Sequence, residues 1–179
     1  EEGGLGTEPA WRSTEYAYAT GAAFGDFDGD GDADLVVAEG NDMQPGPLRI
    51  YWNVEGELEE TASWVSAETH FYGHLSVGDL DSDGWPDLAV SRFLGEGGFD
   101  MPGGIQVFLN QGGELSAHPQ WEADGFYSFS NALGDVDNDG DLDLAVAVGE
   151  AYYNDPSLSI VFSNDGSGDF GTGPSWTTE

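Results

Sequence analysis

Cysteine and lysine are both absent from this 179-residue chain, and Arg12, Arg49 and Arg92 are its only arginines. The first absence removes disulfides, cysteine-ligated zinc and a thiol nucleophile from consideration. The second leaves 35 Asp and Glu against 3 Arg, a formal net charge of −32. A surface this negative repels phosphate backbones, which excludes nucleic-acid binding, and it repels anionic lipid for the same reason. No apolar run approaches the ~18 residues of a membrane span, so no membrane insertion is expected. Helix-period stretches are missing too. The start at Glu1, without a Met or a signal-like segment, is expected of a mature or excised form.

What is present argues for a folded protein. Hydrophobic residues make up 39% of the chain and aromatics 13%, an apolar content that acidic disordered chains lack. Short runs of Val, Leu, Ile, Phe and Tyr alternate with Gly, Asn, Asp and Pro clusters, and 28 residues are glycine. That punctuation predicts an all-β protein.

Self-similarity organises the chain. Residues 24–35 read FGDFDGDGDADL, residues 77–88 VGDLDSDGWPDL and residues 133–144 LGDVDNDGDLDL. Trp11, Trp64, Trp121 and Trp176 keep step with these segments, and Asn53, Asn110 and Asn164 each close an apolar run. Each unit of about 55 residues reads strand, acidic loop, strand, variable loop, strand, Gly turn, strand, the size of one propeller blade. Residues 4–11 match residues 169–176, so the chain begins and ends at the same phase of the repeat. The expected architecture is a single repeat domain over residues 1–179. Three four-stranded blade-type sheets over residues 12–64, 65–121 and 122–176 compose it, with residues 1–11 an extra copy of the Trp-bearing strand.

The acidic loops follow D-h-D-x-D-G-x-x-D. Positions 1, 3 and 5 turn carboxylates inward, while the apolar residue at position 2 (Phe27, Leu80, Val136) is expected to face the core. Gly31, Gly84 and Gly140 at position 6 permit a sharp turn around an ion. Position 7 (Asp32, Trp85, Asp141) can offer a backbone carbonyl, which frees its side chain to vary, and position 9 (Asp34, Asp87, Asp143) returns a carboxylate. An all-oxygen set of this kind suits Ca²⁺ before Mg²⁺. Position 12 holds Val37, Val90 or Val146 instead of the Glu of an EF-hand, so the loops sit between strands. Packing four or five carboxylates into nine residues without a cation is self-repelling.

On these residues the three units resemble the FG-GAP or VCBS repeats of bacterial and archaeal surface proteins and of the propeller in integrin alpha chains. The resemblance covers nearly the whole chain. It implies propeller blades with one calcium ion in the loop joining each blade's first two strands, three sites in all. The ligands it implies are Asp26, Asp28, Asp30 and Asp34; Asp79, Asp81, Asp83 and Asp87; and Asp135, Asp137, Asp139 and Asp143. Asp32, Trp85 and Asp141 would add carbonyls. The chain departs from the family in one respect: propellers close with four to eight blades, and three units do not make a ring.

Other features carry less. On a strand, His70 and His74 lie ~13 Å apart, too far to share a metal. The G-x-G-x-x-G of residues 166–171 is followed by no helix and reads as a turn between strands. No nucleophile elbow is present and no catalytic base stands out, so no enzyme is expected. The recurring tryptophans are read as packing between blades. The segments 39–47, 92–104 and 149–156 vary between units and carry Met43, Phe93, Phe99, Met101, Tyr152 and Tyr153, which marks them as a candidate contact surface.

The function expected from the sequence is a non-enzymatic, calcium-stabilised extracellular or cell-surface module for adhesion or surface assembly. Its partners would be neighbouring repeats or copies of itself, joined head to tail in a fibre or completing a ring, with a protein or glycan ligand as a further candidate. The alternatives are a calcium-dependent lectin-like propeller or an accessory domain of a polysaccharide-active enzyme. The acidic loops hold 14 of the 35 acids. The acidity of the remaining surface suits a halophilic or divalent-rich setting.

Overall fold

The computed structural model describes residues 8–149 and 157–178. Among them every regular element is a β-strand. The first sheet begins with β1 (Ala19–Gly25), β2 (Asp34–Gly40) and β3 (Pro45–Tyr51). A small hairpin of β4 (Asn53–Val54) and β5 (Glu57–Leu58) then leads to its fourth strand, β6 (Trp64–Val65). The second sheet holds β7 (Phe71–Gly78), β8 (Asp87–Gly95), β9 (Gly98–Phe108) and β10 (Trp121–Asp124). The third holds β11 (Ser128–Gly134), β12 (Asp143–Val148), β13 (Ile160–Phe162) and β14 (Trp176–Thr177). All three are antiparallel meanders in chain order, the blade topology expected from the repeat. Among the described residues they do not close into a ring.

The register repeats with the sequence. Gly25 pairs Asp34, Gly78 pairs Asp87 and Gly134 pairs Asp143, so each acidic loop hangs from the same rung between a first and a second strand. The first strands of successive sheets lie side by side, β1 beside β7 and β7 beside β11. Sheet-on-sheet packing then buries alternate residues. Val36, Ala38, Leu48 and Ile50 of the first sheet meet Tyr72, Leu75, Leu88, Val90 and Phe108 of the second. Ala89, Ile105 and Val107 of the second meet Leu144, Val146 and Phe162 of the third. The core is therefore two interfaces between sheets. Each fully buried Leu, Ile or Phe contributes about 2 kcal/mol, before losses elsewhere.

The tryptophans staple these interfaces. The Trp64 indole N–H, from the outer strand of sheet one, donates to the Leu115 carbonyl of the second unit (2.9 Å). Trp121 donates to Gly171 of the third unit (2.9 Å) and packs edge-on against Phe162. Trp11 repeats the pattern, donating to Glu59 (3.1 Å) and packing edge-on against Tyr51. Trp176, at the same phase in β14, is 56% exposed.

Three expectations need correction. The extra Trp-bearing strand is not formed over residues 8–11, which are irregular, while residues 1–7 lie outside the described residues. A strand needs a ladder partner, and residues 8–11 pair with no strand among the described residues. Segment 92–104 is not a loop but a hairpin, because β8 and β9 run on to pair Gly95 with Gly98. Its Arg92 is buried against Glu122 and Asp124. Finally, position 2 of the acidic loop faces the core only twice: Phe27 and Leu80 are fully buried, whereas Val136 is 57% exposed. The residue at that position is covered by the following sheet, and none follows the third among the described residues.

Candidate metal centres

Each acidic loop is shaped by backbone geometry before any ion is considered. Position 4 adopts a left-handed conformation in all three copies, with φ of 74° at Gly29, 58° at Ser82 and 65° at Asn138. Position 6 does the same at Gly31, Gly84 and Gly140, with φ of 96°, 92° and 104°. Two left-handed residues separated by one curl the chain tightly, so carboxylates from both ends of the loop converge. Position 6 was legible as glycine, whereas the equal demand at position 4 was masked by Ser82 and Asn138.

One carboxylate oxygen from each of positions 1, 3 and 9 lies within 4.8 Å of the others in every loop. The clusters are Asp26, Asp28 and Asp34; Asp79, Asp81 and Asp87; and Asp135, Asp137 and Asp143. The position-5 residues Asp30, Asp83 and Asp139 stand outside these clusters. Their carboxylates accept the position-7 backbone N–H of Asp32 (2.8 Å), Trp85 (2.9 Å) and Asp141 (3.0 Å). Position-1 carboxylates accept the glycine N–H of position 6, as Asp26 does from Gly31 (3.1 Å), Asp79 from Gly84 (3.0 Å) and Asp135 from Gly140 (3.2 Å).

Position 9 has a second role that sequence reasoning missed. Asp34, Asp87 and Asp143 are all essentially inaccessible to solvent. In each, one oxygen accepts the position-2 N–H, from Phe27 (2.9 Å), Leu80 (2.7 Å) or Val136 (2.8 Å). The other accepts the N–H of the asparagine ending the third strand, from Asn53 (2.8 Å), Asn110 (2.8 Å) or Asn164 (2.9 Å). This aspartate thus ties the loop to the sheet. A carboxylate has about four lone-pair directions, so two remain for a cation.

The asparagines extend the tie between sheets. Asn110 Nδ2 donates to the Phe27 carbonyl of the preceding unit's loop (2.8 Å), and Asn164 Nδ2 to the Leu80 carbonyl (2.7 Å). Asn53 instead donates back to Ala33 of its own loop (3.0 Å). Their spacing was visible in the sequence; their reach across the interface was not. Trp85 is also accounted for: its ring lies directly over Gly29 of the first loop, where a Cβ would collide with it.

Electrostatics agree with a cation site. Burial, and then the charges of Asp28 and Asp30, push the Asp34 carboxyl above its ordinary value despite two backbone hydrogen bonds. Asp87 rises to about 6, first through burial and then through Asp81 and Asp83. Asp81 and Asp137 are raised too, by desolvation and the neighbouring Asp83 and Asp139 respectively. Asp26 and Asp81 each keep a buried oxygen with no hydrogen-bond partner. Orphaned carboxylate oxygens beside mutually repelling acids fit a hard divalent cation.

The segments opposite these loops carry the apolar surface. Met43, Met101 and Phe129 are 74%, 52% and 43% exposed. Phe93 packs against Phe129 with the rings tilted by 52° and their centroids 4.4 Å apart, and it lines a 470 Å³ cleft with Tyr72, His74 and Asn41. Tyr152 and Tyr153 lie outside the described residues. His70 contacts Glu68 at 3.2 Å and His118 contacts it at 3.5 Å. The glycines of residues 166–171 form the turn between β13 and β14.

Comparison with known proteins is consistent with this geometry. Residues 26–90 match the family model for the FG-GAP-like repeat. Human integrin alpha-7 is 36% identical over 99 residues, covering 49% of this chain and 8% of that protein. Rat integrin alpha-7 is 35% identical over 103 residues, covering 49% of this chain and 9% of that protein. The chain thus spans less than a tenth of the length of the curated relatives it matches. The family-model match runs from the first acidic loop through the second.

Proposed function

We propose that the chain is a calcium-stabilised, non-enzymatic repeat module of adhesion type that works outside the cell and associates through its sheets. The observation that carries this reading is the threefold recurrence of one loop, in which three carboxylates converge and the innermost is buried and tied to the sheet. Asp26, Asp28 and Asp34 would hold the ion in the first loop, Asp79, Asp81 and Asp87 in the second, and Asp135, Asp137 and Asp143 in the third. Positions 5 and 7 complete the shell implied by the family resemblance. A bound Ca²⁺ supplies charge neutralisation and cross-links the loop; the protein's own residues supply the preformed turn.

An exposed apolar edge, an FG-GAP-like segment and similarity to integrin alpha-7 support a binding rather than a catalytic role. The test is thermal melting with titrated Ca²⁺ and with a chelator. At a free concentration about 100-fold above the dissociation constant each independent site adds ~2.7 kcal/mol. A melting temperature indifferent to Ca²⁺ would sink the proposal.

A further inference from the structure

We propose that the open face of the third sheet receives the first sheet of a second copy of this chain, extending the internal packing across a molecular boundary. This inference rests on reading the chain as a repeat module that associates through its sheets. Three equivalent positions report it. A Cβ on Gly25 would meet Val77 of the next sheet at 3.0 Å and one on Gly78 would meet Leu142 at 2.8 Å, whereas the space beside Gly134 is open. Phe27 and Leu80 are sealed, but Val136 is 57% exposed. Ala38 and Ser91 are buried by the following sheet, and their equivalent Ala147 is exposed. Beside these, Ala132, Ala145, Ile160, Val161 and Trp176 line a shallow groove of 270 Å³.

The first sheet offers the matching half. Asn110 and Asn164 each reach back to the position-2 carbonyl of the preceding loop, whereas Asn53 Nδ2 turns to Ala33 of its own loop. A second copy would place Asn53 Nδ2 on the Val136 carbonyl. It would also set Ala22 against Ala147, as Asn131 Nδ2 meets Ser91 Oγ (3.0 Å) within the chain. One element is then supplied twice, since Trp11 of the second copy and Trp176 of the first occupy the same phase. Trp11 is anchored on Glu59 and Tyr51, while Trp176 sits exposed in a two-residue strand. The incoming Trp11 segment therefore displaces β14 and pairs with β13, as Trp64 and Trp121 strands pair in the first two sheets. Such a contact is heterologous, so repetition closes a ring or grows a filament.

Like charge opposes the contact, so the experiment is run in Ca²⁺ at high salt, where screening shortens to ~3 Å near 1 M. Sedimentation equilibrium of the whole chain is expected to show concentration-dependent dimers or larger species. Ala147→Glu should weaken association about tenfold or more by burying an unpaired charge, while Gln111→Glu, in the exposed turn after β9 of the middle sheet, leaves it unchanged. Both variants should melt with the parent, since both positions are exposed in the free chain. Trp176→Ala should leave association intact or tighten it. A monomer up to the order of 100 µM, outside the range of specific assemblies, overturns the proposal and leaves the face to some other unit. Equal effects of the two Glu variants, or weakening by Trp176→Ala, also overturn it. Ca²⁺-dependent melting of the same samples separates the failures: a stabilised monomer refutes the docking alone, and an indifferent one refutes the reading beneath it.

Discussion

Replacing Asp87 by Ala separates the structural role of an acidic loop from its metal-binding role. Both Asp87 oxygens accept buried backbone N–H groups, from Leu80 at 2.7 Å and from Asn110 at 2.8 Å. Leaving two such donors unpaired costs about 1–3 kcal/mol each. Against this, the variant relieves a carboxylate that burial and the Asp81 and Asp83 charges push up to about 6. Discounted for solvent screening, that relief is worth about 1 kcal/mol. The net loss in metal-free buffer is about 3 kcal/mol, or a fall of roughly 6–12 °C in melting temperature for a chain of this size. Asp83→Ala is the matched control. Asp83 is exposed and accepts only the Trp85 N–H, so its loss costs less than about 1 kcal/mol without metal. In saturating Ca²⁺ both variants should lose further stability, because each would remove a ligand proposed for the second loop. Circular-dichroism melts of the parent and both variants, with and without Ca²⁺, check this. If Asp87→Ala melts with the parent in metal-free buffer, the tie between loop and sheet does not exist as described.

Asn110→Ala should cost about 1–3 kcal/mol in urea unfolding by orphaning the buried Phe27 carbonyl, whereas Asn53→Ala, whose side chain makes only an exposed bond to Ala33 of its own loop, should cost less than about 1 kcal/mol. Ser82→Gly should stabilise by up to about 1 kcal/mol, since Ser82 holds φ of 58° where the first loop has glycine; denaturant titration reads it. The metal-free protein should lose stability as pH rises. Asp87 has a folded value raised to about 6 above the ordinary 3.8, so the folded state binds the extra proton and its contribution disappears as pH climbs through 4 to 6. Asp34 and Asp81 act in the same direction, and Ca²⁺ affinity measured by calorimetry should rise across that window.

The period, the loop pattern and the strand order were readable from residues alone because they are local: alternation sets strand faces, Gly sets turns and aspartate spacing sets the loop. Candidate ligands at positions 1, 3 and 9 came from the same local logic, and the chain brings those carboxylates together in all three loops. The sequence also determined the acidity, which no tertiary contact alters beyond the ion pairs of Arg49 and Arg92 with their acidic neighbours. Tertiary structure alone decided what identical residues do in different places. Phe27, Leu80 and Val136 share one motif position, yet only the first two are buried, because burial belongs to the sheet that follows. Trp11, Trp64 and Trp121 find carbonyls about 50 residues on, while Trp176 finds none among the described residues. Asn110 and Asn164 cross an interface, whereas Asn53 donates to Ala33 of its own loop. A repeat dictates the unit, but the environment of each copy depends on its neighbours, and a neighbour is a fact of packing that no single unit encodes.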